Sequence, residues 1–172
     1  LSQHYEILTT LVDWSYDINI VLYFAFHGAL EKIGKLVLWA LNKEYLSFLK
    51  PTDGSINVNF VTPHYAGNPN LNAQKDLFTH WPTTRQSKFE EMNHILAGGE
   101  EIRLVDRRPL DELIKSELKS EDEKFKIFKR FTLPCSEATK GCQIMDHLGY
   151  DTARVFPGYD GVAKYLLNRH QY

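Results

Sequence analysis

Residues 9–41 read TTLVDWSYDINIVLYFAFHGALEKIGKLVLWAL, and the periodicity of that stretch changes twice. Residues 9–14 are few and rich in β-formers, which predicts a short strand. Asp17 follows, and its carboxylate can accept from the free amides of a helical first turn. Ile18, Leu22, Ala25, Phe26 and Leu30 then recur at helical spacing and describe one broad apolar face. Gly34 closes the connection. Residues 36–41 (LVLWAL) are an unbroken apolar run of the length of a buried strand.

Working outward, residues 42–51 read as a mixed helical turn or loop, and Asp53-Gly54 as a turn. Ile56, Val58 and Phe60 alternate with asparagines, the pattern of a half-buried strand. Residues 64–72 (HYAGNPNLN) look like a loop, and residues 73–79 stay open between helix and strand. Ser87 can cap a helix through Leu96, with Phe89, Met92, Ile95 and Leu96 on one face and Gly98-Gly99 as its stop. Ile102 and Leu104 suggest another short strand, and residues 106–109 a polar break. Leu110, Leu113, Ile114 and Leu118 describe a helix. Phe125, Ile127, Phe131 and Leu133 predict a strand bounded by Pro134. A helix from Ser136 carries Ala138, Cys142, Met145 and Leu148, with Gly149 at its C′ position. A last helix is predicted over 160–168. Strands and helices are interspersed without a βαβ rhythm, so the expected class is α+β, a mixed sheet with helices packed on its faces.

The chain has 172 residues, suited to one domain. Its 43 % hydrophobic and 24 % charged residues are globular proportions and argue against disorder. A net charge of −2 points neither to nucleic acid nor to a membrane through bulk charge, though a local basic patch is compatible with it. Cys135 and Cys142 are too few for a disulfide framework, and two helical turns would hold them about 10 Å apart. They read as reduced, buried thiols of a cytoplasmic protein. No apolar run reaches the length of a membrane span, and no signal peptide is visible.

Several blocks resemble the FRG family. Gln3-His4-Tyr5-Glu6-Ile7-Leu8-Thr9-Thr10-Leu11-Val12-Asp13-Trp14-Ser15 is similar to the family's Gln-His-x-Gly-x-Pro-Thr-Arg-Leu-Leu-Asp-Trp-Thr/Ser segment. Leu22-Tyr23-Phe24-Ala25 resembles the helix that follows, and Val37-Leu38-Trp39-Ala40-Leu41-Asn42 the next strand. Asn68-Pro69 with Gln74 and Phe78 resembles an Asn-Pro-Arg…Gln-x-x-x-Phe block. Leu133-Pro134, Leu148-Gly149-Tyr150 and residues 155–163 (VFPGYDGVA) resemble the closing segment. Glu6, Leu8, Thr10, Ile18 and Asn70 depart from the pattern, Thr10 and Asn70 at arginine positions. The chain opens on Leu1, not Met, and the Phe-Arg-Gly motif belongs upstream. The resemblance thus implies one FRG-like domain over 1–172 that lacks its N-terminal part. It also implies a setting in phage–host conflict.

Within that resemblance, Gln3-His4…Thr9…Asp13-Trp14 is the first candidate site. His4 suits proton transfer near neutral pH, and Asp13 can orient a ligand hydroxyl. Equally, Asp13 can cap the turn over 14–17 with His4 packed beneath it. The order of Tyr23 and Gln74 is also similar to ADP-ribosyltransferases, an analogy of pattern alone. It implies a nucleotide-handling effector with NAD as cofactor. His4, Asp13 and Gln74 are then the catalytic candidates, and Thr9, Trp14, Tyr23 and Phe78 the nucleotide-binding ones. The alternative is a non-catalytic sensing or protein-interaction module, with Tyr23 and Phe24 in the core and an exposed apolar patch. His64 and His80 lack metal-ligand rhythm. No Walker loop, Rossmann fingerprint, nucleophile elbow or His-Glu-x-x-His motif occurs. Residues 115–130 mix both signs of charge and read as a solvated surface.

Overall fold

The computed structural model describes residues 11–49, 58–64, 66–81, 94–95, 101–102, 109–118 and 126–168. In chain order these form β1 (Leu11–Ser15), α1 (Ile18–Ala29), β2 (Lys35–Leu41), α2 (Lys43–Phe48), β3 (Asn59–Val61), α3 (Pro69–Gln74), β4 (Asp76–His80), β5 (His94–Ile95), β6 (Glu101–Ile102), α4 (Leu110–Glu117) and β7 (Phe128–Pro134). A 3₁₀ turn (Cys135–Glu137), α5 (Ala138–His147), α6 (Thr152–Val155) and α7 (Tyr159–Asn168) follow. The protein is α+β. The strand pairings among the described residues are antiparallel and fall into three small sheets, β1-β4-β3, β2-β7 and β5-β6.

Residues 126–127 are helical where the sequence reading has a strand, residues 152–155 form a helix that it lacks, and two further elements differ from it. Residues 69–74 are helical, not loop, because Asn68 caps the amides of Asn70 and Leu71 and Pro69 sits in the first turn. Lys75 ends this helix in the left-handed conformation, at φ 50°, and β4 starts at once. His94 and Ile95, expected at the end of a helix, are instead a strand paired with Ile102 and Glu101. The rest of that expected helix lies outside the described residues.

The first core cluster explains the frame. Phe26 and Ala29 from α1, Leu36 from β2, Cys135, and Ala138, Cys142 and Met145 from α5 are all buried together. α1 runs along α5, and a Cβ at Gly141 would stand 2.4 Å from the Phe26 ring. Glycine inside a helix costs about 0.5–1 kcal/mol relative to alanine; here it lets the ring lie against the α5 backbone. α5 ends in a Schellman motif. The Tyr150 amide donates to Met145 O at 2.8 Å and the Gly149 amide to Asp146 O at 2.9 Å, with Gly149 at φ 75°.

β2 and β7 join this cluster to a second one. Leu36, Leu38 and Leu133 face the α1–α5 cluster. Leu41 and Phe128, paired at the other end, meet Leu46, Ile114 and Ile127. The β1-β4-β3 sheet contributes Trp14 and Phe60 to that second cluster.

Candidate functional site

Among the described residues, a group of polar side chains gathers where β1 turns into α1. Ser15 closes β1, and its hydroxyl donates to Gln74 O at 2.6 Å while accepting from the Asp17 amide at 3.1 Å. The Tyr16 amide donates to Lys75 O at 3.2 Å. Asp17 is the N-cap expected from the sequence, its Oδ1 accepting from the Asn19 amide at 3.0 Å. It does more than cap. Its Oδ2 accepts from Lys75 Nζ at 2.8 Å and from Tyr150 Oη at 3.1 Å. Burial alone would push the Asp17 carboxyl up, but Lys75, the Asn19 amide and Tyr150 together hold it below the ordinary carboxylate value.

The segment after α5 docks onto this junction. Tyr23 Oη shares a 2.8 Å hydrogen bond with Thr152 Oγ1, and Gln74 Nε2 donates to Val155 O at 3.2 Å. Arg154 lies 4.0 Å over the Tyr150 ring and donates to Gly149 O at 3.3 Å. Tyr23 also meets His27, with centroids 4.2 Å apart, and Phe24 and Phe156 edge-on. Burial raises the Tyr23 phenol and lowers the His27 imidazole, which Asp146 partly offsets.

The sequence-derived candidates divide accordingly. Gln3, His4 and Thr9 lie outside the described residues. Tyr23 and Gln74 converge on residues 152–155, each through one structural hydrogen bond. Trp14 points into the second core cluster, its indole donating to the buried Thr79 hydroxyl at 3.0 Å. Asp13 is exposed, pairs with Phe78 across β1 and β4, and shares with it the other face of the sheet. Asp13 and Phe78 are therefore neighbours, whereas Trp14 is turned away from both.

Asp17 was legible only as a cap, and Lys75 and Thr152 carried no sequence signal at all. Tyr150 stood inside the Leu148-Gly149-Tyr150 block without a role attached. Chemically, this junction holds shape. Asp17 stays ionised well below neutral pH, far from the matched acidity that general acid–base work needs. Burial, with Asp146 adding to it, pushes the Cys142 thiol up to about 11, so it is no nucleophile at neutral pH. Among the described residues, no three His, Cys, Asp or Glu side chains are grouped to hold a metal ion. No described helix is long and apolar enough to cross a membrane.

No protein-family model matches the chain, and neither a curated protein nor a solved structure matches it. What fold and site define is therefore a class, an α+β protein whose β1–α1 junction is locked by a polar tie to its C-terminal third.

Proposed function

We propose that this chain is a non-catalytic module of FRG type that recognises a partner and transforms no substrate. One observation carries the reading: three of the candidate side chains, Trp14, Tyr23 and Gln74, each form a hydrogen bond that ties the fold together. Thr10 and Asn70, at positions where the family pattern has arginine, support it as well. A cytoplasmic role in phage–host conflict belongs to the same proposal.

A second reading has one observation in its favour. Asp13 and Phe78 pair across the sheet, a carboxylate beside a phenyl ring, which suits a nucleotide's hydroxyl and its base. It makes the chain a nucleotide-handling enzyme with NAD as cofactor.

Calorimetric titration with millimolar NAD, run beside thermal unfolding of wild type, Asp13→Ala and Gln74→Ala, separates the two. The non-catalytic reading expects no binding heat. It also expects Gln74→Ala to lose about 1 kcal/mol, the worth of one hydrogen bond, and so to lower Tm by about 2–4 °C. An NAD-dependent rise in Tm that disappears in Asp13→Ala would replace it with the enzyme reading.

A further inference from the structure

A net charge of −2 conceals an uneven distribution. β2 and β7 contain three cations, Lys35, Lys129 and Arg130, and no carboxylate. None of the three forms an ion pair with a described carboxylate. The register places Lys35, Val37 and Trp39 on one face, with Arg130 directly across from Trp39 and Thr132 across from Val37. This face is turned away from the α1–α5 cluster, which takes Leu36, Leu38 and Leu133 from the opposite side. Among the described residues, its far end is closed, where Phe128 is buried. Lys35, Val37, Trp39, Arg130 and Thr132 are all exposed, Trp39 at 41 %. The Phe128 ring stands at 87° to the indole, 6.1 Å away, and holds it in place from the buried end. Lys129, paired with Ala40, projects from the opposite face and takes no part in this one.

We propose that this open face of β2 and β7 binds single-stranded nucleic acid. The indole of Trp39 stacks a base, and Arg130 and Lys35 meet the flanking phosphates. A large aromatic left exposed between unpaired cations, on a ribbon with no acid, is the combination that single strands use. The exposed indole decides among polyanions. A duplex keeps its base faces stacked away, and an acidic peptide has carboxylates for the cations but no planar ring for the indole. The proposal concerns a different surface from the β1–α1 junction and does not depend on the reading of that junction.

The test is fluorescence anisotropy of a labelled oligothymidylate with the whole chain, across a salt series. Binding is expected to weaken with salt at a log–log slope of about −1.4, from about −0.7 for each of two phosphate contacts. Trp39→Ala is expected to lose about 5- to 150-fold in affinity, and Trp39→Phe to recover most of it. Arg130→Ala keeps the aromatic and reduces the slope by about 0.7, so the proposal stays testable should Trp39→Ala unfold. Absence of binding at low salt overturns it. So does equal affinity for duplex, or a polyglutamate competitor that is as effective as the oligonucleotide while Trp39→Ala binds like wild type; either marks the patch as a plain cationic surface.

Discussion

α5 and α7 are both ten residues long, and both carry an apolar stripe at helical spacing. α5 buries Ala138, Gly141, Cys142 and Met145 against α1. α7 leaves Tyr159, Val162, Leu166 and Leu167 exposed at 96, 46, 57 and 76 %. Small residues make the difference on the α5 side, since Ala138, Gly141 and Cys142 let the Phe26 ring and the α1 backbone come close. α7 is anchored at its start instead. A Cβ at Gly161 would stand 1.8 Å from Phe156 O, so the glycine lets the helix turn tightly off the preceding segment. Helical periodicity thus predicts that a stripe exists; whether anything covers it depends on what lies opposite.

The sharpest way to break that comparison is a matched pair of truncations. Met145→Ala removes a side chain that is 3 % exposed, and it is expected to cost about 2–5 kcal/mol. Leu166→Ala removes a side chain that is 57 % exposed, and it is expected to stay within about 0.5 kcal/mol. Urea unfolding of both variants checks this. Equal losses would mean that the two helices are buried alike.

Next comes Gly141→Ala, which tests why α5 fits so closely. The added methyl meets three atoms of the Phe26 ring at 2.4–2.5 Å, so helix propensity should gain while packing loses. A net loss of about 1–3 kcal/mol is expected. Phe26→Leu in the same chain should recover part of it, read as a coupling energy in a double-mutant cycle.

A smaller effect tests the tie that holds the end of α5 to α1. Asp17→Ala removes the cap and should cost about 0.5–2 kcal/mol. Asp17→Asn keeps a capping oxygen and removes only the charge. Because the folded-state pKa of Asp17 is depressed, the carboxylate's contribution is complete above its unfolded value, about 4. It is lost as pH falls below that value through the depressed one. Unfolding free energy measured against pH should therefore fall more steeply in wild type than in Asp17→Asn over that acid window. Parallel curves would remove Asp17 from the centre of the tie.

Much of the frame was legible because long periodic elements report themselves. α1 with its Asp17 cap, β2, and α5 with Gly149 at C′ all stand where spacing predicts them. α3 was not legible, since six residues are too few to set up an apolar period and only the Asn68-Pro69 start marks them. The candidate site was legible less well. Trp14 and Asp13 are adjacent in a strand and so must face opposite ways, yet which face is open depends on the second core cluster. Lys75 and Tyr150 reach Asp17 across 58 and 133 residues of sequence, and no local pattern encodes such a meeting.

By itself, then, the sequence determined the α+β class, the main helices and strands, their caps, and the burial of both cysteines, because all of these rest on interactions within a few residues or on side-chain hydrophobicity. Only the tertiary structure decided that Tyr23 and Gln74 serve the fold, that Asp13 meets Phe78, and that Lys35, Trp39 and Arg130 share an open face. Those outcomes follow from register and from docking between distant segments, where the free energy comes from burying one element against another.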